Sequence, residues 1–145
     1  MSLHIIKLCV GVETVEDLEA YVAERLELAR RSGQAAEQSH VTRMTPRRTA
    51  EVLDGGSLYW VIKGQVQLRQ PILRLDEFVD AEGIDRCRIV LDPVFIRTRW
   101  QPRRPFQGWR YLKPEDAPPD IAAEDDWSTT MPPQLQRELA DLGLL

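Results

Sequence analysis

The sequence predicts an α+β domain built on one bent, mixed β-sheet of about five or six strands, with an N-terminal-half helix and a C-terminal helix. An apolar strand-like segment opens the chain, a well-capped helical segment follows, and several β-rich segments fill residues 40–112. With 145 residues, of which 43% are hydrophobic and 29% charged, the chain is long enough for one domain, 1–145, with its own core.

The first two elements have the clearest patterns. Residues 3–10, LHIIKLCV, are apolar on both alternating faces, which is typical of a central strand covered on both sides. Residues 14–31 predict a helix, because Thr14 and Asp17 form a capping-box-like start and apolar residues recur at helical spacing. Gly33 can end this helix, and we expect its apolar side to cover the core.

Two short elements and a hairpin follow. Residues 40–44 predict a strand, and residues 46–53 a short helix that begins at a proline. The segments SLYWVI (57–62) and QVQLRQ (65–70) have strong β-propensity, and the Lys63-Gly64 pair between them predicts a turn.

The second hairpin strand alternates regularly. Val66 and Leu68 are predicted on one face, with Gln65, Gln67 and Arg69 on the other. Pro71 lacks an N–H and limits this strand to an edge or a bulge. Residues 86–100 predict one further strand, broken at residues 92–93, with Arg97 and Arg99 on the same face.

Charge divides the chain into three parts. Residues 1–40 hold four basic and seven acidic residues, residues 41–113 hold fourteen and eight (net +6), and residues 114–145 hold one and eight (net −7). We expect a compact body over 1–113, an acidic, proline-rich arm over 114–133 that wraps across the surface, and a C-terminal helix over 134–143.

The segment 95–113 carries six basic and no acidic residues together with several aromatic rings. Guanidinium groups bind phosphates with paired hydrogen bonds, and flat rings stack on unpaired bases, so this composition predicts binding of RNA or a nucleotide. The predicted phosphate contacts are Arg97, Arg99, Arg103, Arg104 and Arg110; the predicted stacking residues are Trp109, Phe106 and Trp60; the residues predicted to read a base edge are Gln67 and Arg69.

Other interpretations stay open. The arginines of 95–113 can instead pair with the acidic arm while the aromatic rings belong to the core. Lys63 with Asp76 or Glu77 could support acid–base chemistry, which would make the protein a hydrolase of a nucleoside-like or amide substrate in the same cleft. In a third interpretation the protein is an adaptor that contacts a partner protein through the acidic arm.

Several classes of site have no support in the sequence. Cys9 and Cys87 lie far apart, and His4 and His40 are the only histidines, so we predict neither a disulfide framework nor a metal site. No phosphate-binding loop or nucleophile motif is present, and no cofactor is predicted. Lys7 interrupts the apolar start, so we expect no membrane span and a cytoplasmic protein of open oligomeric state.

Three stretches carry a resemblance to a known family. The opening MSLHIIKLCVGV, residues 55–73 (GGSLYWVIKGQVQLRQPIL) and residues 104–112 (RPFQGWRYL) resemble a bacterial family labelled only as a conserved domain of unknown function, found mainly in alphaproteobacteria. The resemblance covers nearly the whole chain and implies almost nothing about function.

A more distant resemblance adds an expectation about the fold. VIKGQVQLRQ is similar to the turn-then-strand signature of the ASCH group in the PUA-like superfamily. This resemblance implies a small β pseudo-barrel that binds RNA or modified nucleotides, and some helix within 57–63. Gly64 matches the signature, but Val66, Arg69 and Pro71 replace its lysine, glutamate and arginine. These departures weaken the hydrolase interpretation more than the binding one.

Overall fold

The computed structural model describes residues 2–121 of the chain. The predicted C-terminal helix over 134–143, and residues 122–133 of the predicted arm, lie outside the described residues. Within 2–121 there are seven strands and two α-helices, against the five or six strands expected for the sheet. The elements are β1 (His4–Leu8), α1 (Val15–Arg31), β2 (Gln38–Thr42), α2 (Thr49–Leu53), β3 (Ser57–Ile62), β4 (Gln65–Val79), β5 (Asp85–Leu91), β6 (Ile96–Pro102) and β7 (Trp109–Leu112), followed by a 3₁₀ turn at Pro114–Asp116.

The strands form one mixed sheet in the order β2-β5-β4-β3-β1-β7, and β6 also pairs with β4. β1 is central as predicted, because it lies parallel to β3 and antiparallel to β7. β2 and β7 stand at the two ends of this order, and no ladder joins them within residues 2–121. The sheet is therefore open, and the PUA-like pseudo-barrel is not confirmed.

The hairpin between β3 and β4 forms as predicted. Lys63 (φ 51°) and Gly64 (φ 78°) both have positive φ, as a two-residue turn of the mirror-image type requires. All six residues of β3 are buried and in strand conformation, so the helix that the ASCH resemblance implied within 57–63 is absent.

The structure of β4 differs from two predictions, one about Pro71 and one about the side-chain alternation. It continues through Pro71 as a 15-residue strand, which pairs first with β3 and β6 and then with β5. The register shifts at Gln67 in both ladders of its first half. Because a bulge reverses the side-chain alternation, Val66 and Leu68 belong to different apolar clusters rather than to the same face.

The sheet separates two apolar clusters. On one side, which we call the helix face, Ile5, Trp60 and Leu68 pack under α1. On the other, which we call the arm face, Ile6, Tyr59, Val61 and Val66 pack against residues of the 106–117 segment.

Helix α1 is the predicted one, and it covers the helix face. Thr14 Oγ1 accepts a hydrogen bond from the backbone N–H of Asp17 (3.1 Å), a cap that stabilises the helix by about 1 kcal/mol. Val15, Leu18 and Val22 point into the core. No helix of the described region has the length and apolar character needed to cross a bilayer.

β2 folds over the helix face, although β5 and β4 stand between it and β3 in the strand order. The His40 ring of β2 lies 5.4 Å from the Trp60 ring of β3, and Gln38 hydrogen-bonds to Gln70 of β4. The long β4 therefore bends enough to bring β2 close to α1. This bend creates the concave region described next.

Candidate functional site

A cavity of about 420 Å³ lies between α1, the end of β1 and β2. Its volume falls within the range of about 300–1,000 Å³ typical of small-molecule sites. The floor is formed by strands, and the wall by the helix and the residues just after β1. The side chains with polar or aromatic groups that line it include Lys7, Cys9, Tyr21, Arg25, His40 and Trp60.

Trp60 is held in place by a hydrogen-bonded amide network. Its indole Nε1–H donates to Gln70 Oε1 (2.9 Å), which also accepts from Gln38 Nε2 (2.9 Å). The Gln70 amide nitrogen donates back to Gln38 Oε1 (2.6 Å) and to the carbonyl of Asp92 (3.2 Å). Since Gln70 is fully buried and every polar atom of its side chain is satisfied, this network fixes the cavity floor.

Lys7 is the charged residue of β1, and it lies on the helix face between Trp60 of β3 and Trp109 of β7. Burial lowers the pKa of its amine, because removing water from an ammonium group disfavours the charged form. Within residues 2–121 it makes neither a salt bridge nor a side-chain hydrogen bond. A partly desolvated cation without a counter-ion is rare in a strand of the core.

His40, on β2, lines the same cavity as Lys7. Burial, with a smaller contribution from the positive charge of Lys7, lowers the pKa of His40 to about 4. The imidazole is therefore neutral at pH 7. A neutral imidazole can donate or accept a hydrogen bond, or relay a proton, without adding to the charge of the cavity.

Cys9 completes the polar side of the cavity. Burial raises the pKa of its thiol to about 11, and Lys7 offsets only part of this shift. The thiol is protonated at neutral pH and is a poor nucleophile. Within the described residues, no three His, Cys, Asp or Glu side chains are grouped closely enough to hold a metal ion.

Arg25 is the second cation of the cavity, on the exposed side of α1. Its guanidinium lies over the ring of Tyr21, 5.7 Å from the centroid, and it makes no salt bridge with any described residue. Tyr21 is itself 54% exposed. Together they place a positive charge and an aromatic ring on the helix side of the cavity.

Of the residues predicted to bind RNA from the sequence, only Trp60 lines this cavity. Trp109 and Gln67 are also buried, and their polar groups are used internally. Trp109 Nε1 donates to the carbonyl of Met44 (2.7 Å), and Gln67 Nε2 donates to the carbonyl of Ile62 (2.9 Å). Neither residue offers a ring or an amide to an exposed nucleic-acid surface.

Two of the predicted phosphate-binding or base-reading arginines are paired with carboxylates. Arg97 contacts Glu16 (3.0 Å) and Glu19 (3.3 Å) of α1. Arg69 donates two hydrogen bonds of 2.8 Å to the carboxylate of Asp120, and a third of 2.8 Å to Ser57 Oγ. Asp120 belongs to the predicted acidic arm, but Arg69 lies outside residues 95–113, so this pair differs from the pairing of the 95–113 arginines with the arm that the sequence left open.

Three predicted residues, Arg103, Arg104 and Arg110, lie near one end of the sheet and form no salt bridge with a described residue, although Arg110 donates to the carbonyls of Gln107 and Trp109. Arg104 and Arg110 are exposed, and Arg110 lies 5.5 Å from the ring centroid of the predicted stacking residue Phe106. Arg103 donates to Gln101 Oε1 (2.7 Å). Arg99, on β6, is half-buried.

The strand registers place these arginines at the same end of the sheet as the cavity. Lys7 of β1 is opposite Trp109, and Gln65, which begins β4, is opposite Pro102, which ends β6. The end of β1, the start of β7 and the end of β6 therefore lie at one end of the sheet. Arg110 pairs with Ile6 of the arm face and lies beside Phe106 of the same face, so it shares this end of the sheet with the cavity but not the face on which the cavity lies.

The proposed acid–base group around Lys63 is not assembled. Lys63 pairs with Glu13 (3.2 Å) at the hairpin turn, whereas Asp76 pairs with Arg74 (2.9 Å) on the other half of β4. Glu77 lies beside Asp76 and is exposed. The length of β4 separates the amine from both carboxylates.

Sequence reasoning did not identify Lys7, Cys9 and His40 as a group. His40 is distant in the chain from Lys7 and Cys9, and it meets them only because β2 folds over the helix face. One signal was present in the sequence, since Lys7 is the single charge in the otherwise apolar LHIIKLCV segment. A charge at a strand position covered on both sides requires an explanation.

Residues 5–145 match the family described as a protein of unknown function, DUF1489. The chain belongs to the DUF1489 family. The resemblance to an uncharacterised domain family is thereby confirmed for this DUF1489 protein. No curated protein sequence and no solved structure is significantly similar to it.

Proposed function

We propose that this DUF1489 protein binds a nucleotide, with the phosphate and the base received by the cavity under α1. The observation that carries the proposal is the pair of cations at the cavity, Lys7 and Arg25, neither of which has a counter-ion among the described residues. A phosphate would supply the missing negative charge and compensate for the desolvation of Lys7.

The aromatic groups support a ligand with a flat ring. His40 and Tyr21 line the cavity from β2 and α1, and Trp60, of which only 4% is exposed, lies in the floor against the His40 ring. Bases stack on such rings with little dependence on their identity, at roughly 1–3 kcal/mol per base. The combination of two cations with aromatic walls fits a nucleotide better than it fits an apolar molecule.

We extend the proposal to RNA because further arginines lie at the same end of the sheet. Arg103 and Arg104 would contact phosphates beyond the nucleotide held in the cavity, whereas Arg110 lies on the arm face. Binding of a longer strand would then weaken steeply with salt, because each phosphate contact releases condensed counter-ions.

The cavity favours binding over hydrolysis. The Cys9 thiol is protonated, and Glu37, a carboxylate that lines the cavity, is bound by both terminal nitrogens of Arg74 (2.9 and 2.8 Å). An activated nucleophile with an adjacent base, as hydrolysis usually requires, is not assembled among these lining residues. The adaptor interpretation stays a prediction, since most of the arm lies outside the described residues.

Calorimetric titration with adenosine 5′-monophosphate, uridine 5′-monophosphate and the matching nucleosides tests the proposal. We expect the nucleotides to bind and the nucleosides to bind at least tenfold more weakly, since a charge-assisted contact contributes about 1.5–3 kcal/mol. Arg25→Gln and Lys7→Gln should each lose most of the phosphate preference. Lys63→Gln, which changes a lysine outside the cavity, is the matched control.

Fluorescence anisotropy with a short single-stranded RNA at several salt concentrations tests the extension. The double change Arg103→Gln with Arg104→Gln should reduce the slope of log K against log salt by up to about 1.4, given roughly 0.7 per phosphate contact on a single strand. An unchanged slope would confine the proposal to free nucleotides. Equal affinity for nucleotides and nucleosides would contradict the whole proposal, and so would a failure to bind either.

A further inference from the structure

The two cations of the cavity differ in how easily a group from outside can reach them. Lys7 is half-buried on β1, whereas Arg25 is exposed on α1. Glu37, a carboxylate among the lining residues, is already bound by Arg74. Arg25 is therefore the charge of the cavity that an acidic group from outside the described residues can contact directly.

The helix itself provides no counter-ion for Arg25. Residues three or four positions apart are neighbours on a helix surface. Arg30 and Arg31 both have Glu27 at such a position and pair with it, at 3.6 and 3.2 Å. The corresponding positions around Arg25 carry no charge and hold Tyr21, Val22, Leu28 and Ala29. Among the arginines of α1, Arg25 alone has no salt bridge with a carboxylate of residues 2–121.

The acidic arm leaves the described region beside α1. The backbone N–H of Ile121, the last described residue, donates to the carbonyl of Arg97 on β6 (2.9 Å). The side chain of the same arginine contacts Glu16 (3.0 Å) and Glu19 (3.3 Å) in the first turns of α1. The next residues of the arm therefore start close to the helix that carries Arg25.

The residues that follow Ile121 are mostly acidic. The sequence continues AAEDDW (122–127), with three consecutive carboxylates and then a tryptophan. Residues 122–126 span up to about 17 Å when extended, whereas Arg25 lies roughly 9 Å along α1 from Glu19. The acidic residues can therefore reach Arg25, and the short connection gives them a local concentration on the order of millimolar.

We propose that the acidic residues 124–126 bind Arg25 and compete there with the phosphate of a nucleotide. This inference rests on the proposed function, because both ligands use the same guanidinium. Lys7 stays without a counter-ion while the acidic residues are bound, since it is the less exposed of the two cations. A nucleotide phosphate that contacts both cations gains a contact that the acidic residues lack, and it displaces them. The arm thus raises the nucleotide concentration that the cavity needs.

Calorimetric titration of the full-length protein with adenosine 5′-monophosphate measures the competition. The double change Asp125→Asn with Asp126→Asn weakens the competitor, so we expect the affinity for the nucleotide to rise about three- to tenfold. The matched control, Glu138→Gln with Asp141→Asn, removes the same number of charges farther along the chain. It should change the affinity by less than about twofold, because salt screens distant exposed charges.

A labelled peptide of residues 122–133 tests the contact itself without relying on nucleotide affinity. Fluorescence anisotropy follows its binding to the full-length protein that carries Asp125→Asn and Asp126→Asn. We expect saturable binding that adenosine 5′-monophosphate displaces. Adding Arg25→Gln should weaken the binding of the peptide at least about threefold, as expected for the loss of an exposed ion pair. Arg31→Gln, at an arginine that pairs with Glu27, is the matched control and should leave it unchanged.

The outcomes separate this inference from the proposed function. Equal nucleotide affinity in the unchanged protein and in the Asp125→Asn, Asp126→Asn variant would overturn the inference and leave the proposed function intact. An equal gain in the Glu138→Gln, Asp141→Asn variant would also overturn it, because net charge alone would then explain the effect. Peptide binding that depends on Arg25, in a protein that binds no nucleotide, would refute the phosphate site but support the contact between the arm and Arg25.

Discussion

Arg69 on the arm face and the cavity cations on the helix face differ in their pairing, although Arg97, also on the helix face, is paired with Glu16 and Glu19 of α1. On the arm face, Arg69 binds both oxygens of Asp120 at 2.8 Å and also Ser57 Oγ at 2.8 Å. On the helix face, Lys7 and Arg25 border a cavity with no ion pair to a described residue. Both faces are built on the same strands, so the difference does not come from the fold.

The contrast separates architecture from candidate function. A charge that is fully bonded within the chain has little left to offer a ligand, and removing its partner costs stability. A desolvated charge without a partner costs stability in the free protein and gains it when a ligand arrives. On this argument the arm face holds the 3₁₀ turn and the residues after it in place, whereas the helix face carries the proposed binding site.

The largest effect is expected from the buried amide beneath the cavity. Gln70→Leu leaves the Trp60 indole N–H and the Gln38 amide without their partner, at about 1–3 kcal/mol for each unsatisfied group. Urea unfolding should show a loss of about 3 kcal/mol and weaker nucleotide binding. Gln38→Ala, which leaves the Trp60–Gln70 bond intact, should cost less; an equal cost would mean that the Gln70–Trp60 bond contributes little.

A second prediction uses pH to distinguish the faces. His40 has a pKa of about 4 in the folded protein, against an ordinary value of 6.5, so the unfolded chain binds the proton first as pH falls. The stability present above pH 6.5 is therefore lost between about pH 6.5 and 4, by at most about 3 kcal/mol. Urea unfolding at pH 7.0 and 4.5 should show this loss, and His40→Gln should remove most of it.

His4 provides the control for that measurement. Its pKa is also lowered, by burial and by the nearby Arg69, so it contributes in the same direction from the arm face. His4→Gln should reduce the loss between pH 7.0 and 4.5 by less than His40→Gln does. The reverse order would place the main acid-sensitive group on the arm face and remove the contrast between the two.

A third prediction concerns the Arg69–Asp120 pair. The hydrogen bonds from Arg69 hold the pKa of Asp120 below its usual value of 3.8, so the pair stabilises the protein above that pH and the contribution is lost as pH falls further. Because both groups are partly exposed, Arg69→Gln should cost only about 1–2 kcal/mol at pH 7. Asp120→Asn should cost a similar amount, and neither change should alter nucleotide affinity.

The sequence predicted most of the elements because their signals are local. The cap at Thr14, the turn at Lys63-Gly64 and the central position of β1 were all confirmed. The alternation of β4 misled, because a one-residue bulge at Gln67 reverses every side chain on one side of it, and nothing in the local pattern marks a bulge.

The cavity could not be predicted from local sequence patterns, because it depends on the shape of the whole sheet. His40 meets Trp60 only through the bend of β4, which is a property of the whole sheet. Residues 95–113 are rich in arginine, but composition does not distinguish an unpaired guanidinium from one in a salt bridge. Arg97 and Arg104 look alike in sequence, but the first is bound by two glutamates of α1, and the second is exposed.

The smallest effect is also the one that tests the contrast most directly. Lys7→Met keeps the length of the side chain and removes a charge that burial disfavours. We expect the free energy of unfolding to stay constant or to rise by roughly 1 kcal/mol or less, since partial exposure screens the amine. Nucleotide binding should fall in the same variant, so that stability and binding change in opposite directions.

Lys63→Met, at a solvent-exposed pair with Glu13, should change both quantities by little. If Lys7→Met instead destabilised the protein as Arg69→Gln does, Lys7 would have partners of its own, and the helix face would be architecture like the arm face.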